Sequence, residues 1–254
     1  MKIHVESSDW FGIIDIQNAF FPGRGGLPVT GAYVIVPPVV SLVRRFEPER
    51  TFVTIDRHPL GSVCLASSFI NIRPNTTVLT PDLMIKWSEE KLKSCGVGML
   101  APCARFTEKW LRKYVRLTSR FHNPQMLWAD HALVGTEECE LVPELQEFNF
   151  AIVQYKGMDP LCDSYSGVRD AMGRPTGLAK KLREHGMKRV FLAGLAFDYC
   201  VGSTAIDLAY ENFETYVIED LTRSVGVPDG NVDHMRNRMI AAGVKIVRVE
   251  DLVF

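Results

Sequence analysis

At 254 residues, with 46% hydrophobic and 23% charged residues, the chain has the size and composition of one soluble α/β domain with room for insertions. A net charge of −1 supplies no field to recruit nucleic acid or an anionic membrane surface, and no apolar run reaches membrane-spanning length. The opening Lys2-Ile3-His4-Val5-Glu6 does not start a signal peptide, which makes the cytoplasm the expected compartment.

Short apolar runs alternate with amphipathic stretches, the pattern of repeated βα units around a mostly parallel sheet. Strands are predicted at 11–16, 51–56, 150–155, 189–193, 215–218 and 244–247, and helices at 34–46, 176–185, 200–211 and 229–242. Thr176 is read as a helix N-cap, Gly186 and Gly243 as left-handed C-terminal residues, and Pro228 as the signal before the last helix. The expected fold is a three-layer α/β architecture, an open, mostly parallel, Rossmann-like sheet flanked by helices. Residues 1–254 read as one domain with an insertion at about 70–127. That segment carries Pro74, Pro81, Pro102 and Pro124 and one helix near 105–117. On this helix Phe106, Trp110, Tyr114 and Leu117 share a face opposite Lys109, Arg112, Lys113 and Arg116. Packing of the aromatic face on the main domain is expected, with a lid or a subunit contact as alternatives. The six cysteines, Cys64, Cys95, Cys103, Cys139, Cys162 and Cys200, form no CxxC pair, so neither a zinc knuckle nor a redox dithiol is indicated.

Four strand ends carry chemically capable groups, and an open α/β sheet gathers such ends into one crevice. Asp15 closes the first strand, where an apolar setting demands a partner for the charge. Asp56 and His58 follow the second at i and i+2, which places them on one side of an extended segment and lets them share a cation. A third nitrogen comes from His131, with His122 as rival. Lys156, followed by Gly157, closes the third strand. Cys200 follows the fourth at a helix opening, where unpaired N–H groups favour a thiolate and can bind an oxyanion.

In this order the residues resemble a known family. Ile14-Asp15-Ile16-Gln17-Asn18 with Phe20, Asp56-x-His58-Pro59, Trp128-x-x-His131, Lys156-Gly157, Asp163-Ser164-Tyr165-Ser166 and Gly194-Leu195-Ala196-x-Asp198-Tyr199-Cys200-Val201 are similar to the isochorismatase-like cysteine hydrolases, within them the nicotinamidase/pyrazinamidase branch. The resemblance implies an Asp15/Lys156/Cys200 triad and a zinc-like divalent cation on Asp56, His58 and His131, with iron(II) or manganese(II) as alternatives. It implies a cis peptide between Leu195 and Ala196 and an oxyanion hole from the Ala196 and Cys200 N–H groups. Phe20, Trp128, Tyr165 and Leu195 are the implied substrate-binding positions. The implied reaction is hydrolysis of nicotinamide, and of pyrazinamide, through a cysteine thioester in NAD salvage. Another amidohydrolase acting on a carbamoyl or ureido substrate is the alternative. The expected partner is this small molecule, with a homo-oligomer compatible and neither nucleic acid nor membrane involved. Ala19 stands where the family carries Asp, Arg57 where it carries an aromatic residue and Phe197 where it carries a small polar one. The family's second histidine after His-Pro is missing from Pro59-Leu60-Gly61-Ser62-Val63, so three protein ligands are expected.

Overall fold

The computed structural model describes residues 2–92, 99–120 and 124–254. Its centre is a six-stranded parallel sheet built from β2 (Trp10–Ile14), β3 (Thr51–Asp56), β6 (Ile152–Lys156), β7 (Arg189–Leu195), β8 (Glu214–Arg223) and β9 (Lys245–Val247), in the order β6-β3-β2-β7-β8-β9. All six strands coincide with runs predicted from the sequence. Every residue of β2 and β3 is buried, as a strand covered on both faces requires. A parallel pair β1 (Ile3–His4) and β10 (Leu252–Val253) joins the chain ends.

The helices cover the two faces. Helix α1 (Ala32–Phe46) buries Ala32, Ile35, Val36, Val39, Leu42, Val43 and Phe46, one stripe at 3.6-residue spacing. The later helices are α5 (Leu178–Glu184), α6 (Gly202–Tyr210) and α7 (Asn231–Ala241), with the short α4 (Pro143–Gln146) before β6. Two expectations shift. The N-cap of α5 is Gly177 at φ 97°, while the Thr176 hydroxyl accepts from Leu178 N–H at 3.2 Å and donates to Gly167 O at 2.6 Å. The turn holding Cys200, Phe197–Val201, is π-helical, and α6 begins after it. Gly186 and Gly243 take the expected left-handed φ of 74° and 85°. No described helix is long and apolar enough to cross a membrane.

The segment that breaks the βα rhythm has its own order. Its ends are the antiparallel strands β4 (Thr77–Leu79) and β5 (Gln125–Leu127), and within it lie α2 (Pro81–Leu92) and α3 (Glu108–Arg120). Only the second helix was expected, and it starts three residues later. Phe106 and Tyr114 are buried as predicted, together with Leu111 and Val115, while Trp110 and Leu117 are half-buried. These side chains form a second apolar cluster that also takes in Cys162 and Ala171 of the main domain, so the aromatic face packs inward. Lys109, Lys113 and Arg116 are exposed. His122 and Cys95 lie outside the described residues.

The strand order positions the site. From β2 the chain proceeds outward through β3 to β6, then returns to β7 on the other side of β2. The switch between β2 and β7 opens a crevice at their carboxyl ends. Asp15 follows β2, and Ala196 to Cys200 follow β7. In register beside them, Asp56 pairs with Lys156 at the ends of β3 and β6. Gly194 brings β7 against β2 here: at φ 122° its α-carbon is so close to Ile14 that a Cβ would sit 2.1 Å from Ile14 O.

Candidate active site

Lys156 is the hub of the crevice. Its Nζ lies 2.8 Å from Asp15 Oδ2, 3.1 Å from Asp56 Oδ1 and 3.4 Å from Cys200 Sγ, and its side chain is wholly buried. Asp15 Oδ1 accepts the Thr54 hydroxyl at 2.6 Å. Burial works against the Lys156 ammonium, but the Asp15 and Asp56 carboxylates outweigh it and hold its pKa well above the ordinary lysine value. Burial raises the Asp15 pKa; Lys156 opposes this, Asp56 reinforces it, and the net shift is upward. Burial also pushes the Cys200 thiol well up, Lys156 pulls it back in part, and Asp15 and Asp56 push it higher. The resting sulfur is therefore a thiol. The helix opening favours the thiolate, but here burial and the two carboxylates oppose it, which leaves a proton for Asp15 to take.

Asp56 faces two ways. Its Oδ2 lies 3.1 Å from His58 Nε2 and 3.7 Å from His131 Nε2. His58 Nδ1–H donates to Gly157 O at 3.2 Å, and His131 Nδ1–H donates to Ala129 O at 2.8 Å. Carbonyls accept only, so each Nδ1 carries a proton; His58 Nε2–H donates to Asp56 Oδ2, and a bound cation would replace that proton and be ligated by the Nε2 atoms. The three donors are buried and lie within 4.8 Å of one another, the arrangement a divalent cation requires. Burial would raise the Asp56 pKa, but His58, Lys156 and His131 hold it well below the carboxylate range. Burial would lower the His58 pKa, and Asp56 overrides it. The donor set fits a divalent metal ion, which would take the place of the His58 proton beside Asp56. Gly157 lets its carbonyl approach: at φ 71°, a Cβ would stand 2.6 Å from His58 Cε1 and 2.7 Å from Asp56 Oδ1.

A pocket of about 400 Å³, measured to its open mouth, rises above Cys200 and this trio. Phe20, Trp128, Tyr165 and Ala196 line it as expected. Leu195 does not; it is buried behind the wall and joins Ala196 through a cis peptide, as the resemblance implied. Leu27, Val29, Asp163, Tyr199 and Val225 also line the cavity, and sequence reasoning had assigned none of them. Tyr199 adjoins Cys200 in the motif and was the one most open to recognition. Its ring meets Trp128 edge-on at 4.8 Å, giving the pocket flat apolar walls.

Residues 110–251, more than half of the chain, match the model of the isochorismatase domain. The chain belongs to the isochorismatase family. Among its relatives there, the nicotinamidase of Acinetobacter baylyi is 28% identical over 242 residues, covering 95% of this chain and 92% of that one. The nicotinamidase of Escherichia coli is 36% identical over 129 residues, covering 50% and 61%. The solved structure of an Acinetobacter baumanii nicotinamidase/pyrazinamidase superposes with a TM-score of 0.75 at 26% identity, covering 97% of this chain and 98% of that one.

Proposed function

We propose that this protein is a nicotinamidase, hydrolysing nicotinamide to nicotinate and ammonia through a thioester on Cys200. One observation carries the reading: a single buried ammonium touches the base, the nucleophile and a ligand of the cation trio on the floor of an aromatic pocket. Likeness to nicotinamidases over nearly the whole chain supports the same substrate, and pyrazinamide is a ring of the same size.

Asp15, with its raised proton affinity, takes the Cys200 proton as sulfur attacks the amide carbon. Lys156 stays protonated and holds the Asp15 carboxylate toward the sulfur. The Ala196 and Cys200 N–H groups receive the developing oxyanion, where loss of one donor typically costs about 10²–10³ in turnover. Asp15 then returns its proton to the departing ammonia, leaving the thioester for water to open. Asp56, His58 and His131 would hold zinc, with iron(II) or manganese(II) as alternatives for a two-histidine, one-carboxylate set. When bound, the cation supplies a Lewis-acidic docking point for the pyridine nitrogen. Phe20 and Trp128 flank the ring, and this flat slot favours an aromatic amide over a carbamoyl or ureido substrate. Residues 1–254 act in this reading as one cytoplasmic domain that returns nicotinamide toward NAD.

Ammonia release from nicotinamide by the purified protein tests the proposal, with Cys200→Ala as control. Stoichiometric ammonia and nicotinate from wild type, and none from the variant, is the expected result. No release from wild type, or equal release from both, refutes it.

A further inference from the structure

The wall of the pocket is tied to the inserted segment by a chain of buried hydrogen bonds. Tyr114 on α3 is fully buried, and its hydroxyl donates to Gln125 Oε1 at 2.6 Å. Gln125 Nε2 donates to Met126 O at 2.8 Å and to Asp163 Oδ2 at 2.8 Å, and lies 3.2 Å from the Tyr165 hydroxyl oxygen. The Tyr165 oxygen also accepts from Trp128 Nε1 at 3.2 Å. Asp163, Tyr165 and Trp128 line the pocket; Tyr114 and Gln125 do not. The amide can sit only one way round, because a flip would set Oε1 against the Met126 carbonyl and the Asp163 carboxylate. The Tyr114 hydroxyl is what pairs Oε1 in that orientation.

We propose that Tyr114 and Gln125 are positioning residues that fix the Trp128–Tyr165–Asp163 wall, and that the inserted segment thereby sets how tightly the pocket holds its ring. This rests on the nicotinamidase reading for its substrate. Tyr114→Phe removes one oxygen and leaves Gln125 Oε1 without its buried donor, so the amide loses one of its anchors and the wall loosens. The KM for nicotinamide rises about five- to tenfold with kcat within twofold, and the alkylation rate of free Cys200 by iodoacetamide is unchanged. The indole ¹H–¹⁵N resonance of Trp128, assigned with Trp128→Phe, shifts in the same variant without any substrate present. Tyr114→Phe/Gln125→Leu also takes the donor from Asp163 Oδ2 and Met126 O, so it melts below Tyr114→Phe, and KM stays raised because Tyr165 keeps only the Met126 and Trp128 N–H groups.

An unmoved indole resonance overturns the proposal, as does a wild-type KM in the double variant. A parallel fall of kcat and alkylation rate in Tyr114→Phe also overturns it, since that marks general loosening of the fold. A wild-type protein inactive on nicotinamide sinks the substrate reading alone, and the indole resonance then still decides whether the two residues position the wall.

Discussion

Replacing Lys156 by Met removes the one ammonium that contacts Asp15 among the described residues and keeps the length of the side chain. At 2.8 and 3.1 Å the two contacts are each worth about 5–6 kcal/mol of gross attraction at an effective dielectric of about 20, most of it spent on desolvating the three charges. Breaking such a buried arrangement from one side costs about 3–5 kcal/mol net. For a domain of this size that is roughly 6–20 °C in melting temperature. Asp15 can relieve the strain by keeping a proton, because its already raised pKa climbs further once Lys156 is gone. A folded-state pKa above the unfolded value, about 3.9, means stability that is full below the unfolded pKa and lost as pH rises through the folded one. The part of the deficit that comes from Asp15 therefore grows as pH rises, on top of a pH-independent part from Asp56, which stays charged without its lysine. A protonated Asp15 is no base, so kcat falls about 10²–10⁴-fold at neutral pH. Lys156→Met/Asp15→Asn regains stability by deleting the stranded charge, and is no less active than Asp15→Asn because both groups serve one proton transfer. Thermal melts from pH 5 to 8 and steady-state kinetics on the three variants measure this. A deficit independent of pH, or Lys156→Met with kcat within tenfold of wild type, refutes the reasoning.

Two further outcomes concern the cation trio. Metal analysis should find about one divalent cation per chain; chelation or His131→Ala should remove it, raising the KM for nicotinamide while leaving Cys200 open to small alkylating agents. With three protein ligands and no second histidine after Pro59, loss to chelators should be fast. Gly157→Ala should lower metal affinity about 10–100-fold, since its Cβ would press on both His58 and Asp56, and an unchanged metal content in competition with a chelator would contradict the role given to the Gly157 carbonyl.

The central sheet was legible because parallel strands covered on both faces must be short unbroken apolar runs, and six such runs stand out along the chain. The chemistry was legible because Asp15, Asp56, Lys156 and Cys200 each stand at a strand end, and parallel strands bring those ends together. The inserted segment was read less completely. Its helix α2, Pro81–Leu92, mixes apolar and charged residues without a clean stripe, and β4 and β5 are three residues each, too short to show alternation. Leu27, Val29 and Val225 reach the pocket from loops, where no local period marks a residue for a wall assembled by distant contacts.

The covalent step is tested most directly by intact-protein and peptide mass spectrometry on the reaction quenched with acid during turnover of nicotinamide. The mechanism predicts a nicotinoyl group on the peptide carrying Cys200, chased to free nicotinate when quenching is delayed past substrate exhaustion, and absent from Cys200→Ala. Nicotinate formed at the wild-type rate by Cys200→Ala, or an acyl group carried by another residue, would contradict it.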